Sequence, residues 1–148
     1  MSASTPAPRL PNAADYASAN VSPDDYGATF SHACALRDAN DLVTAADRFG
    51  QLCVCYPERL EAFKALGYVL YQLGSYDQAR ATLLFASVQD PTDPVPLFIA
   101  AASLHRAGGD VASAREIAAD ALDVARGSHR HARLQASAQH LIDATESR

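Results

Sequence analysis

The chain has 148 residues, a length that fits one domain, and is 49% hydrophobic and 20% charged, the composition of a globular protein with a core to bury. Its formal net charge of −5 speaks against sequence-independent nucleic-acid binding, which needs a basic surface, and its apolar runs are too short to span a bilayer, so stable membrane insertion is not expected. No basic stretch followed by an apolar one opens the sequence, so no secretory signal is expected, and an odd count of cysteines (Cys34, Cys53 and Cys55) fits reduced thiols in a cytosol.

Residues 1–21 are rich in Ser, Ala, Pro and Asn and carry little periodicity, which predicts a flexible segment. Ser22-Pro23-Asp24-Asp25 then places an N-cap serine, a proline at the first helical position and acids in the first turn, so a helix is expected to begin there. Ser75-Tyr76-Asp77-Gln78 follows Gly74 as a capping box, ending one helix and starting the next. Asp93-Pro94 repeats the cap-plus-proline device, and Gly108-Gly109-Asp110 is another stop and restart. Ser128 caps a last helix running to about Glu146. No segment alternates with period two, so no strands are expected.

These signals divide the chain into helices of about 12–15 residues joined by short turns, the spacing of a helical-repeat array. The run Phe63, Leu66-Gly67, Leu70, Gly74-Ser75-Tyr76, Ala79, Leu83, Ala86 and Pro91 follows the tetratricopeptide pattern, with small residues where two helices cross and large ones filling the gap between them. One repeat earlier, the corresponding positions hold Ala33, Leu36, Leu42, Ala45, Phe49, Leu52 and Pro57. One repeat later, with a step longer by a single position, they hold Phe98, Ala101, Ala102, Val111, Ala114, Ala118 and Ala121. A single hairpin cannot bury its apolar face, so stacking is required and the end needs a cap. Leu134, Ala138, Leu141 and Ile142 share one face of the last helix and supply it. The expected fold is all-α: three tetratricopeptide-like helical hairpins in a right-handed solenoid, with repeats at about 26–59, 60–93 and 95–128 in a domain spanning 22–148, closed by a capping helix over about 129–146.

Catalytic and metal chemistry find little footing in this pattern. His129 and His131 lie two apart on a helix, point in different directions and stand beside Arg130 and Arg133, so a solvated helix start fits better than a metal site. Cys53 and Cys55 are likewise two apart and read as small apolar residues. His32 and His105 fall on the first and fifth helices with no acid and nucleophile arranged around them. There is no glycine-rich phosphate loop, no H-E-x-x-H and no G-x-S-x-G. The reading is of a protein that is not an enzyme and uses no metal or cofactor. What remains is shape: a stack of hairpins curves, and the first helix of each lines a concave groove suited to an extended peptide or a helix. Counted along those helices, the groove positions are Phe30, Cys34 and Arg37 in the first repeat, Lys64, Tyr68, Tyr71 and Gln72 in the second, and Ile99, Ser103 and Arg106 in the third. Tyrosine offers a large apolar face with a polar tip, which suits such a surface. The alternative for Tyr68 and Tyr71 is packing between helices, and for Lys64 and Arg106 a solvated charge.

Phe49-Gly50-Gln51-Leu52-Cys53-Val54, Leu66-Gly67 to Tyr76-Asp77-Gln78-Ala79, and Asp90-Pro91-Thr92-Asp93-Pro94 to Phe98, Ala100, Ala101 and Gly109-Asp110 resemble the class II chaperones of bacterial type III secretion, the LcrH/SycD-type translocator chaperones. The resemblance covers about residues 26–145. It implies a virulence-associated chaperone of the bacterial cytoplasm. Such a chaperone would bind hydrophobic translocator proteins before export and hold a P-x-L-x-x-P-type segment of the client in its groove. It also implies the homodimerisation and transcriptional co-regulation that occur in the family. The first repeat departs from the family pattern, with Cys34 and Arg37 beside Phe30 where several aromatics are usual, and the N-terminal segment is proline-rich where a dimerising helix would lie. The alternative reading is another tetratricopeptide adaptor, such as a needle-subunit co-chaperone or a secretion regulator. A co-chaperone that clamps a C-terminal carboxylate would need Lys, Asn and Arg on the inner helices, and Phe30 and Cys34 stand where that clamp would start.

Overall fold

The computed structural model describes residues 25–146, which hold seven α-helices and no strand. The helices are α1 (Tyr26–Asp38), α2 (Leu42–Cys55), α3 (Leu60–Gln72), α4 (Tyr76–Gln89), α5 (Pro94–Arg106), α6 (Val111–Ala125) and α7 (Ala132–Glu146). The flexible segment expected over 1–21 and the cap expected at Ser22 lie outside the described residues. At the start of α1 it is Asp25 that takes the cap position, without a side-chain bond to the helix.

Three evenly spaced turns of one design set the helix lengths. Asn40, Gly74 and Gly108 are each left-handed, with φ of 64°, 81° and 71°. At each, the amide after the left-handed residue reaches back to the preceding helix: Asp41 N donates to Leu36 O at 2.8 Å, Ser75 N to Leu70 O at 2.9 Å and Gly109 N to Leu104 O at 3.0 Å. These are the long bonds of a Schellman ending, and the left-handed residue itself makes the short one, to Arg37, Tyr71 and His105 in turn. Carbonyls that would otherwise be stranded at the helix end are satisfied within the chain.

Aspartates open α2, α5 and α6. Asp41 accepts the amide of Thr44 at 3.4 Å, Asp93 that of Val95 at 3.0 Å ahead of Pro94, and Asp110 that of Ser113 at 3.1 Å. The hydrogen bonds from Ser113, side chain first and then backbone, hold the Asp110 carboxyl below the usual carboxylate range. The capping box expected at Ser75–Gln78 is not made. The Ser75 hydroxyl and Gln78 Oε1 are buried with no hydrogen-bond partner among the described residues. The last helix also starts later than expected: Ser128 accepts the amide of Arg130 at 3.3 Å and caps a 3-10 turn, His129–His131, from which α7 continues.

The chain divides at Ser75–Tyr76 into two compact units. In the first, α1 packs on α2 and α2 on α3 around Ala33, Ala45, Phe49, Leu52, Ala62 and Val69, all fully buried. In the second, α4 packs on α5, α5 on α6 and α6 on α7. Most of its fully buried residues are alanines (Ala79, Ala86, Ala100, Ala101, Ala114, Ala118, Ala121, Ala125 and Ala138), joined by Pro94, Pro96, Ser103 and Thr145, with Leu83 the largest apolar among them. Small side chains let helix backbones approach closely, so contact area replaces bulk. Two polar ties fix α7: Arg115 Nη2 donates to the carbonyl of Thr145 at 2.7 Å, and Gln135 Nε2 to the carbonyl of Ala125 at 3.0 Å.

Candidate binding surface

The first helices of the hairpins are in strict register. Helices α1, α3 and α5 each have 13 residues and begin at Tyr26, Leu60 and Pro94. In the first unit the sequence-predicted residues therefore fall into two matching stripes: Phe30, Cys34 and Arg37 on α1, and Lys64, Tyr68 and Tyr71 on α3, with Gln72 one step on. All are half-buried except Gln72, which is exposed. Within each stripe the spacing is four positions and then three, which keeps the side chains on one helix face.

An aromatic cluster supports the α1 stripe. The Phe30 ring meets fully buried Phe49 of α2 edge-on, with centroids 5.5 Å apart, and stacks on Tyr26 at 5.9 Å. Tyr26 meets Tyr56 edge-on at 5.1 Å, and the Arg59 guanidinium lies 4.7 Å from the Tyr26 ring centroid. The Tyr26 hydroxyl donates to Glu61 Oε1 at 2.9 Å and so joins the first turns of α1 and α3. Burial, and next the bond to Glu61, push that hydroxyl well above the usual phenol range, so it stays a neutral donor. Sequence reasoning did not single out Tyr26, because its partners Tyr56, Arg59 and Glu61 meet it only in the folded chain. Phe30 thus has two roles, one edge in the core and the other on the stripe. Arg37 donates from Nε to Asp38 at 3.3 Å.

The three cysteines behave as their burial dictates. Cys53 is buried, which pushes its thiol up to about 12 and leaves it an inert apolar filler, whereas Cys34 is half-buried on the α1 stripe and Cys55 is exposed. Among the described residues, no group of three or more His, Cys, Asp or Glu is placed to hold a metal ion, and no helix is long and apolar enough to cross a membrane.

In the second unit the expected positions on α5 need correction. Ile99 is half-buried and Arg106 exposed, but Ser103 is fully buried and its hydroxyl donates to the Ile99 carbonyl at 2.7 Å. A side chain so enclosed cannot line an open face. The cause is register. The step from Tyr76 of α4 to Val111 of α6 is one position longer than the step from Leu60 of α3 to Pro94 of α5, because the turn after α5 is longer than the turn after α3 by that one residue. Carrying the longer step back into α5 displaces every position on it by one. The residues equivalent to Lys64, Tyr68, Tyr71 and Gln72 are Phe98, Ala102, His105 and Arg106. Asp93-Pro94, legible in the sequence as a helix start, fixes that register: the proline opens α5 at the repeat position that Leu60 holds in α3.

No protein-family model matches the sequence, and no curated protein matches it. Solved structures do. PcrH from Pseudomonas aeruginosa superimposes with a TM-score of 0.77 at 24% identity, over 86% of this chain and 96% of that one. PcrH in complex with the chaperone binding region of PopD gives 0.79 at 23% identity, with the same coverage. The Yersinia enterocolitica type III secretion chaperone SycD, in complex with a peptide of the translocator YopD, also gives 0.79 at 23% identity, over 86% of this chain and 96% of that one. The chain has the helical-hairpin fold of PcrH and of the type III secretion chaperone SycD.

Proposed function

We propose that this protein is a type III secretion chaperone, which binds a hydrophobic translocator in the bacterial cytoplasm before export and acts by holding its client rather than by catalysis. The observation that carries this reading is the likeness, over most of the chain, to PcrH and SycD in structures that hold translocator segments. An extended client segment lies along the α1 and α3 stripes. Phe30, Tyr68 and Tyr71 offer it apolar walls, the tyrosine hydroxyls bond its backbone, and Arg37 and Lys64 meet its carbonyls or acids. A homodimer of the 22–148 domain belongs to the same reading.

The experiment is titration of a labelled translocator-derived peptide against wild type, Tyr71→Ala and Tyr68→Ala, with thermal melts alongside. Truncating an anchor residue costs about 2 kcal/mol or more, so Tyr71→Ala should weaken binding at least about tenfold, and Tyr68→Ala somewhat less, at unchanged melting midpoints. Early melting in both would make the tyrosines core residues. Normal melting with normal binding would move the client off these stripes.

A further inference from the structure

The outer face of α4 carries apolar side chains where a surface helix normally carries polar ones. Phe85 is 44% and Val88 74% exposed, and exposed Ala81 continues the stripe at the spacing of one helix face. The outer face of α6 carries exposed Glu116, Asp120 and Asp123 at the same spacing. Asp123 pairs with Arg126 at 3.5 Å, whereas Glu116 and Asp120 form no ion pair among the described residues. Both helices pack against α5, and their buried residues correspond one for one at a constant step: Ala79 with Ala114, Leu83 with Ala118, Ala86 with Ala121. The outward residues correspond at that step too, Ala81 with Glu116, Phe85 with Asp120 and Val88 with Asp123. Equivalent faces of successive second helices look to the same side of a hairpin stack, so the apolar stripe is flanked by an acidic one.

The charge selects the occupant. Nucleic acid and anionic membranes are repelled by the outward carboxylates of Glu116 and Asp120, which no cation in the described residues offsets, while a cationic partner gains both apolar burial and opposite charge. We propose that the outer face of α4 and α6 docks a basic amphipathic helix, its apolar residues seated on Phe85 and Val88 and its Lys or Arg side chains opposite Glu116, Asp120 and Asp123. None of these residues belongs to the α1 and α3 stripes, so this surface does not depend on the client reading.

The test uses the full chain and two labelled helical peptides with the same leucine face, one with lysines along its flanks and one with glutamates in their place. The lysine peptide should bind at least about tenfold tighter than its counterpart, and more weakly as salt rises. Phe85→Ser/Val88→Ser and Glu116→Lys/Asp120→Lys should each remove at least about tenfold of that affinity. Melting midpoints should hold, because the positions are exposed, and Tyr71→Ala should leave the affinity unchanged. Equal binding of the two peptides, or full binding by either double variant, overturns the proposal. So does a concentration-dependent dimer that Phe85→Ser/Val88→Ser dissolves, since the occupant would then be a second copy of the chain.

Discussion

At one position of the repeat α2 carries Phe49, α4 carries Leu83 and α6 carries Ala118, and all three are fully buried. One helical turn on, Leu52 of α2 gives way to Ala86 and Ala121. The backbone pattern is held while the side-chain volume falls along the chain. The first unit is therefore held by filling: Phe49 occupies the space between helices and braces Phe30, which in turn lies on the α1 stripe. The second unit is held by closeness, its helices meeting across alanines. A repeat thus fixes where the chain turns and leaves each interface to choose between bulk and proximity, and the two choices fail in opposite ways.

The largest effect should come from emptying the filled core. Phe49→Ala removes a fully buried ring and its edge-on partner contact, and such truncations cost about 3–5 kcal/mol. Urea unfolding should show that loss as an earlier midpoint at an unchanged slope. Peptide binding should fall as well, because Phe30 loses its support. A cost near 1 kcal/mol would mean that α1 and α2 collapse to fill the space, and that the first unit is no more dependent on bulk than the second.

In the alanine core the damaging change is the opposite one. Ala118→Leu installs the side chain that α4 carries at the equivalent position at a fully buried site that an alanine now fills. Overpacking of this kind costs about 1–3 kcal/mol. The control, Leu83→Ala in α4, should cost about 2–5 kcal/mol by leaving a cavity. If Ala118→Leu melts with the wild type, the helices around α6 are not closely crossed and the contrast with α2 is wrong.

A closely packed terminal helix also needs its polar ends tied. Arg115 bonds the Thr145 carbonyl and lies 3.4 Å from its hydroxyl oxygen, so Arg115→Ala leaves a buried carbonyl without its donor. The expected cost is about 1–2 kcal/mol, read as loss of amide protection in α7 ahead of the other helices. Uniform loss across the chain would show α7 unfolding together with the core rather than fraying from it.

The punctuation of the chain was the legible part of the fold. Gly74, Gly108, Asp93-Pro94 and Asp110 each announce a helix end or start by backbone chemistry that needs no distant partner, and the structure places turns and caps at all of them. The turn at Asn40-Asp41 was missed because asparagine enters the left-handed region less often than glycine and gives a weaker signal. The register of α5 was missed because the alanines of α4 and α6 align at the longer step, which holds only beyond the extra residue in the turn between α5 and α6. Gly109 fills that turn, and a Cβ there would run into the Leu104 side chain, so its small size has a steric reason visible only in three dimensions. On the candidate face, spacing alone brought the α1 and α3 residues to matching positions, whereas the cluster of Tyr26, Tyr56, Arg59 and Glu61 depends on contacts between residues far apart in the chain.

The smallest expected effect concerns the two turns that differ most in their residues. Gly108 has open space around a Cβ built at its position, so Gly108→Ala meets no clash, only the left-handed backbone. That strain is about 1–2 kcal/mol, offset by about 0.4–1 kcal/mol because alanine restricts the unfolded chain more than glycine does. A net loss of about 1 kcal/mol should follow. At Asn40 the same backbone is already borne by a side chain that tolerates it through local hydrogen bonding. Asn40→Gly relieves the remaining strain and loosens the unfolded chain, two effects of similar size and opposite sign, so the midpoint should move by less than the equivalent of about 0.5 kcal/mol. Asn40→Ala removes the tolerance and should cost about as much as Gly108→Ala. Parallel melts of the three variants decide it: equal losses for the two alanines with a near-silent Asn40→Gly mean one turn design in both units. A large gain from Asn40→Gly would show the first turn to be strained where the last is relaxed, and the bulk-filled unit would then carry a backbone cost that the alanine-packed unit avoids.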